Sequence, residues 1–158
     1  MIKQFLMNLI LTFIWVGLTG SFTFLDFLFG FLMSYFILML IFRGNASSKY
    51  FDRVPKIIIF SGYFLKELFR ANMQVAYDLV TPNYFMKPGI VRYPLTAETD
   101  FEINMLVNIV SLTPGTLILD VSDDKKVLYI HVTYINDKEE FISHLREGFE
   151  KKLLAILR

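Results

Sequence analysis

Apolar residues dominate the first 42 positions of the chain, and patterns with many more polar residues follow. Two apolar runs, Ile2–Gly20 and Phe22–Phe42, are joined at Ser21, and Asp26 is their only acidic side chain. A helix rises about 1.5 Å per residue, so roughly 20 residues cross the ~30 Å hydrocarbon core of a bilayer. The pattern therefore predicts a transmembrane helical hairpin with a basic loop over residues 1–55.

The first apolar run is predicted to remain in the protein as an anchor. A cleaved signal peptide usually has an apolar stretch of about 7–15 residues and a small-residue cleavage site. This run is longer, carries only Lys3 as a basic residue near its start, and is followed at once by a second run.

Residues 56–81 predict an amphipathic third helix. Lys66, Arg70, Gln74 and Asp78 recur every four residues and therefore share one helical face. Placing Lys66 and Arg70 at the middle of a bilayer costs about 2.5–3.5 kcal/mol each on insertion scales. An interfacial helix with its charged face toward the cytoplasm avoids this cost and is preferred. A third transmembrane helix facing partner subunits is the alternative.

A few side chains in these helices are candidates for contact with other subunits or ions. Gly30 and Ser34 are small residues four positions apart, which permits close approach of another helix, although such pairs also occur by chance. Together with Lys66 and Arg70 they are candidates for subunit packing. Asp26 lies about one turn into the second run, where an intramembrane carboxylate would be a candidate ion or proton ligand. At the outer membrane interface it would instead be solvated.

The distribution of charge predicts the orientation of the hairpin. Basic residues cluster after the second run, at Arg43, Lys49, Arg53 and Lys56, whereas the loop between the runs has none. Because Lys and Arg mark cytoplasmic loops, we expect both ends of the hairpin and the C-terminal domain in the cytoplasm. Residues 1–89 have a net charge of +4 and residues 90–158 a net charge of −3. The acidic polar domain argues against binding of nucleic acid.

Residues 90–158 predict a small α/β domain with the element order β-α-β-β-α, after a linker at 82–89. The predicted elements are a strand at 90–95, a helix from Thr99 or Asp100 to about 112, strands at 116–122 and 127–135, and a last helix capped by Asn136 that reaches about 157. Pro94 predicts an edge position or a strand end. Thr113-Pro114-Gly115 predicts a type II turn, with Gly115 at the position that requires a positive φ. About 70 residues make a small core, so we expect docking on the membrane helices or a partner to complete it.

The sequence offers little catalytic chemistry. There is no cysteine, and the two histidines, His131 and His144, lie on different predicted elements. No phosphate-binding glycine motif occurs. Asp123 and Asp124 are most simply a solvated turn. We therefore expect no catalytic, metal or cofactor site and no small-molecule substrate, and the residues favour a membrane-bound interaction protein rather than an enzyme.

One stretch resembles a known family. The run NIVSLTPGT at 108–116, with DVSDD at 120–124 and LYIHV at 128–132, resembles the E subunit of the multisubunit Mrp-type Na+/H+ antiporters of bacteria. The resemblance covers essentially the whole chain. The motif residues that carry it are Asn108, Ser111, Thr113, Pro114, Gly115, Asp120, Asp123 and Asp124.

The resemblance implies an accessory and assembly subunit of an antiporter in the bacterial plasma membrane that supports pH and sodium homeostasis. Its expected partners are large polytopic subunits, which carry the ion paths, and the lipid bilayer. It implies no cofactor and no catalytic residue. The Thr113-Pro114-Gly115 turn is then a structural signature or a docking surface. A stand-alone membrane-anchored regulator with a cytoplasmic protein-binding domain is the alternative function.

Overall fold

The computed structural model describes residues 2–42, 49–81, 86–135 and 137–158. The chain forms two compact units, Met1–Pro55 and Lys56–Arg158. The predictions for Arg43, for the linker at 82–85 and for the Asn136 cap lie outside the described residues.

The first unit contains two helices that are long and apolar enough to cross a membrane. These are α1 (Ile2–Thr19) and α2 (Phe24–Ile41), each 18 residues long, with mean hydropathy 1.5 and 2.2. They begin and end inside the predicted runs because residues 20–23 form the connection, in which Gly20 has φ +67° and Thr23 caps α2. The two predicted apolar helices are confirmed.

The hairpin buries polar and small side chains and exposes apolar ones. The buried residues of α1 are Gln4, Asn8, Thr12 and Val16, and those of α2 are Gly30, Ser34 and Leu38. The exposed residues of α1 include Phe13 and Leu18, and those of α2 include Phe24 and Leu25. This distribution is the reverse of that in a water-soluble protein, and it suits a hydrocarbon solvent.

The third helix, α3 (Lys49–Val80), contributes residues to both units. In the first unit, its Tyr50 and Phe51 are buried and cluster with Leu38. Asn8 Nδ2 donates a hydrogen bond of 3.4 Å to Tyr50 Oη. The buried amide of α1 thus has its partner at the beginning of α3.

The second unit contains a three-stranded antiparallel sheet with the strand order β1-β3-β2. The strands are β1 (Gly89–Pro94), β2 (Thr116–Val121) and β3 (Val127–Val132). β1 lies at the edge of the sheet and ends at Pro94, which agrees with an edge position or a strand end for this proline. The last strand is shorter than predicted because its regular pairing ends at Val132, opposite Gly89 and Thr116, and beyond it Lys87 and Tyr134 form an isolated bridge.

Helices cover one face of this sheet. They are α4 (Asp100–Ser111), α5 (Lys138–Leu145) and α6 (Lys151–Leu157), with a π-helical turn at Arg146–Glu150 between the last two. Thr99 and Glu102 form a capping box at the start of α4, and Asp137 caps α5. The buried core residues are Val91, Tyr93, Leu106, Val110, Leu128, Ile130, Val132, Leu145, Phe149 and Leu153.

The second part of α3 belongs to this domain. Phe60, Tyr63 and Phe64 pack against its core. The helix approaches closely at Gly148, where an added Cβ would overlap Tyr63 Oη. From the sequence, 56–81 was expected to form a segment of its own, and membrane helices or a partner were expected to complete the core. In the folded chain α3 itself supplies an apolar layer to the domain, and the expected docking on the membrane helices or a partner stays a prediction.

Candidate functional site

An open groove of about 560 Å³ lies in the second unit. One wall is α3, with Glu67, Arg70 and Gln74, and another is the turn at 113–116 between α4 and β2. The start of α5 forms a third side, with Glu140, Phe141 and His144, and Tyr134 also lines the groove. The groove thus brings together a part of the sequence motif and the charged side of α3.

The turn at the groove has the predicted conformation. Gly115 has φ +87°, and Thr116 N donates to Thr113 O at 3.2 Å, which closes a type II turn around Pro114. Gly115 O accepts a hydrogen bond of 2.8 Å from Thr133 N. The motif therefore fixes how the chain passes from α4 into β2.

The groove carries charges of both signs. Arg70 and Lys87 are basic, whereas Glu67 and Glu140 are acidic. His144 Nε2 lies 3.8 Å from Glu67 Oε2 and 3.2 Å from Tyr63 Oη. Among the described residues, no group of three His, Cys, Asp or Glu side chains is placed to hold a metal ion. Mixed charge around an open groove matches the polar rim of a protein interface.

Tyr134 connects the groove to the end of α3. Its hydroxyl donates to Asp78 Oδ2, and this hydrogen bond raises the pKa of Tyr134 to about 12. The phenol therefore keeps its proton at neutral pH. This contact holds the C-terminal part of α3 beside β3.

Most of the other motif residues lie away from the groove. Asn108 and Ser111 are exposed on α4, and Asp120 is exposed on β2. Asp123 and Asp124 lie in the turn before β3, where the hydrogen bond from Ser122 lowers the pKa of Asp124. Of the predicted site residues, Thr113, Pro114, Gly115 and Arg70 line the groove, whereas exposed Lys66 does not.

The small residues of the hairpin pack within the chain. An added Cβ on Gly30 would lie 2.8 Å from Trp15 Cδ1, so the close approach is made to α1. Ser34 is buried on the same face of α2. At Gly30 the close approach is thus made within the hairpin, and packing of Gly30 and Ser34 against another subunit stays a prediction.

The carboxylate of Asp26 accepts hydrogen bonds from nearby residues of the connection before α2. It lies in the first turn of α2, and its Oδ2 accepts hydrogen bonds of 2.5 Å from Ser21 Oγ and 2.6 Å from Thr23 Oγ1. This is the arrangement of a carboxylate that stabilises a helix N-terminus.

Sequence reasoning missed two buried polar groups. The stripe of Gln4, Asn8 and Thr12 was visible as polar residues every four positions in an apolar run. Glu150 gave no such signal, because glutamate in an amphipathic helix is normally exposed. Its carboxylate accepts hydrogen bonds from Tyr93 Oη at 2.6 Å, Thr96 N at 2.6 Å and Ala97 N at 2.8 Å.

Comparison with known proteins connects this fold to ion transport. A family model described as Na+/H+ ion antiporter subunit matches residues 8–156. The chain is 38% identical over 155 residues to the E subunit of the Na+/H+ antiporter of Alkalihalophilus pseudofirmus, and the match covers 98% of both chains. It is 36% identical to the E subunit of the Bacillus subtilis antiporter, again over 98% of both chains.

Two solved structures of membrane complexes also contain chains that are similar to this one. A chain of the Mrp complex from Dietzia sp. DQ12-45-1b is 26% identical with a TM-score of 0.50, over 65% of this chain and 96% of that one. A chain of the membrane-bound sulfane sulfur reductase, an archaeal respiratory membrane complex, is 30% identical with a TM-score of 0.56, over 98% of both chains. The resemblance inferred from the motif is thereby confirmed, and the chain belongs to the family of Na+/H+ antiporter E subunits.

Proposed function

We propose that this chain is an accessory, non-catalytic subunit of a multisubunit Na+/H+ antiporter in the bacterial plasma membrane and supports assembly of the complex. The observation that carries this proposal is the family match over residues 8–156, which includes both the apolar hairpin and the α/β domain. The relatives of similar length share this full extent.

The hairpin serves as the anchor of the protein. Its buried polar stripe and its exposed apolar surface suit lipid or the apolar helices of neighbouring subunits. The 18-residue length of each helix, with some thinning of the bilayer, is sufficient for a span.

The α/β domain lies on the cytoplasmic side in this proposal. Lys49, Arg53 and Lys56 follow the second span, whereas positions 20–23 between the spans carry no basic residue. This asymmetry supports the orientation with both hairpin ends inside.

The groove docks a cytoplasmic segment of a neighbouring subunit. Its two basic and several acidic side chains offer partners for a segment that carries both signs of charge. The rigid turn at 113–116 provides a fixed wall for that contact.

Deleting the chain tests the proposed function directly. In a host without its own antiporter of this type, deletion should abolish sodium-dependent dissipation of the pH gradient in everted membrane vesicles. Recovery of the complex on native gels should fall in parallel. Full exchange by an intact complex that lacks this chain would refute the proposal.

A pair of matched substitutions tests the groove. Glu140 lines the groove and Glu139 does not, although both are acidic residues in the first turn of α5. We expect Glu140→Lys to lower co-purification of the other subunits severalfold and Glu139→Lys to leave it unchanged. Equal effects of the two substitutions would show that the groove is not the docking surface.

Labelling from each side of the membrane tests the orientation. The chain has no cysteine, so single-cysteine variants report unambiguously. A membrane-impermeant maleimide should label Phe22→Cys in intact cells and Asp123→Cys only in inverted vesicles. The opposite pattern would place the domain outside.

A further inference from the structure

The outward side of α3 carries a stripe of exposed apolar side chains. Ile58, Leu65, Phe69, Met73 and Val80 are between 50% and 81% exposed. Their spacing of four or seven residues places them on one face of the helix. A continuous apolar stripe of this kind marks a contact surface in a folded protein.

The opposite side of α3 is already occupied. Phe60, Tyr63 and Phe64 pack against the core of the domain. Gly148 leaves room for the Tyr63 ring, and an added Cβ there would clash with Tyr63 Oη. Because these contacts fix the rotation of the helix against the domain, the exposed stripe must face away from the domain.

One basic residue lies at the edge of the stripe. Lys66 is exposed and forms no ion pair with another described residue. On a helical wheel it lies next to Phe69 and Met73, whereas Arg70 lies farther round and lines the groove. Long basic side chains at such an edge can extend to lipid phosphates while their methylene groups cover apolar surface.

The position of α3 in the chain keeps the beginning of this helix near the membrane. The helix begins at Lys49, and α2 ends at Ile41, so only positions 42–48 connect them. A connection spans at most about 3.3–3.6 Å per residue. The end of α2 therefore keeps the beginning of α3 close to the bilayer, whereas a soluble partner has no such tether.

We propose that this stripe lies in the headgroup region of the inner leaflet and that Lys66 binds the phosphate of an anionic lipid. This arrangement follows the physics of interfacial amphipathic helices, in which apolar burial and attraction to anionic lipid act together. It rests on the proposed cytoplasmic position of the domain.

Fluorescence quenching tests the location of the stripe. The full-length chain, with bimane on a single cysteine, is reconstituted in vesicles of phosphatidylcholine and phosphatidylglycerol. The label of the Phe69→Cys variant should be quenched by nitroxide-bearing lipid and protected from iodide present on both sides. The matched label of Gln74→Cys lies on the groove side of the same helix. It should be quenched by iodide and protected from the nitroxide-bearing lipid. Equal iodide quenching of the two labels would overturn the proposal.

Charge reversal tests the lipid phosphates. Adding Lys66→Glu should reduce nitroxide quenching of the Phe69→Cys label severalfold in vesicles with phosphatidylglycerol. In phosphatidylcholine alone the difference should be small. The matched reversal Lys126→Glu, in an exposed turn, should have no effect. An unchanged label after reversal at 66 would exclude contact with anionic lipid.

The same label in the assembled complex separates lipid from protein. Protection of the Phe69→Cys label from both quenchers would show that a neighbouring protein covers the stripe, which would overturn the lipid assignment. The vesicle measurements use the isolated chain, so a negative result there would overturn the lipid contact alone. The proposed role in the antiporter is tested separately, by the exchange and co-purification experiments.

Discussion

Glu150 and Gly115 illustrate how single residues hold the α/β domain together. The buried carboxylate of Glu150 satisfies Tyr93 Oη and the backbone N–H groups of Thr96 and Ala97, so it fixes the chain between β1 and α4. Burial raises the pKa of Tyr93, which keeps this hydroxyl a donor. Gly115 has the corresponding role after α4, where only a residue that tolerates positive φ fits without strain.

Gly115→Val should destabilise the domain. A β-branched residue at φ +87° costs roughly 1–2 kcal/mol in backbone strain, and its Cβ would press on the Tyr134 ring at 3.3 Å. We expect a lower midpoint of thermal unfolding in detergent and poorer recovery of the complex. Gly115→Asn is the matched control and should cost less, because asparagine tolerates the left-handed region. Wild-type stability of the Val variant would contradict the turn.

Among the secondary-structure elements, the C-terminal helices connect the other layers of the domain. The π-helical turn at Arg146–Glu150 buries three consecutive residues, which a regular helix with one buried face would not do. Gly148 meets α3, Phe149 enters the core, and Glu150 reaches the loop after β1. The turn therefore lets one helix contact three neighbours.

The ion pair between α4 and the end of the chain predicts a dependence of stability on pH. Arg158 Nε donates to Glu102 Oε1 at 3.0 Å, and this interaction lowers the pKa of Glu102 from 4.5 to about 2. The resulting stabilisation is fully present above pH 4.5 and is lost as the pH falls toward 2. Near-ultraviolet circular dichroism over this range should show a smaller acid-induced loss for Glu102→Gln.

The control for this measurement is a carboxylate in a surface pair. Glu147→Gln removes the partner of exposed Lys151 and should leave the acid profile unchanged, since surface pairs contribute little. An identical acid profile for wild type and Glu102→Gln would show that this ion pair does not contribute to stability.

At the scale of the whole molecule, the two units suit two different solvents. The hairpin buries amides and hydroxyls and exposes phenylalanine and leucine, whereas the domain buries its apolar residues beneath a charged surface. α3 combines both patterns, because one side packs on the core of the domain and the other exposes apolar side chains. The family match across both units indicates that they function together.

Exchanging the charges around the hairpin should invert the chain. Replacing Arg43, Lys49 and Arg53 by Asn and placing Lys at Ser21 and Phe22 moves the positive charge to the other side of the spans. In these variants an Asp123→Cys reporter should become accessible to impermeant maleimide in intact cells. Replacing Lys125 and Lys126 by Asn, far from the spans in the sequence, should leave the orientation unchanged. A reporter that stays inaccessible in the inverted design would show that loop charge does not set the orientation.

The sequence by itself determined the features that depend on local patterns. Long apolar runs predicted two membrane-length helices, and Pro94 predicted an edge position or a strand end. The Thr113-Pro114-Gly115 run predicted both a turn and a family. Each of these features depends on residues that are neighbours in the sequence. Tertiary structure decided which faces meet. Only the folded chain showed that Gly30 packs on Trp15, that Glu150 is buried, and that the inner face of α3 completes the core. These contacts join residues far apart in sequence, so their free energies depend on three-dimensional proximity that no local pattern encodes.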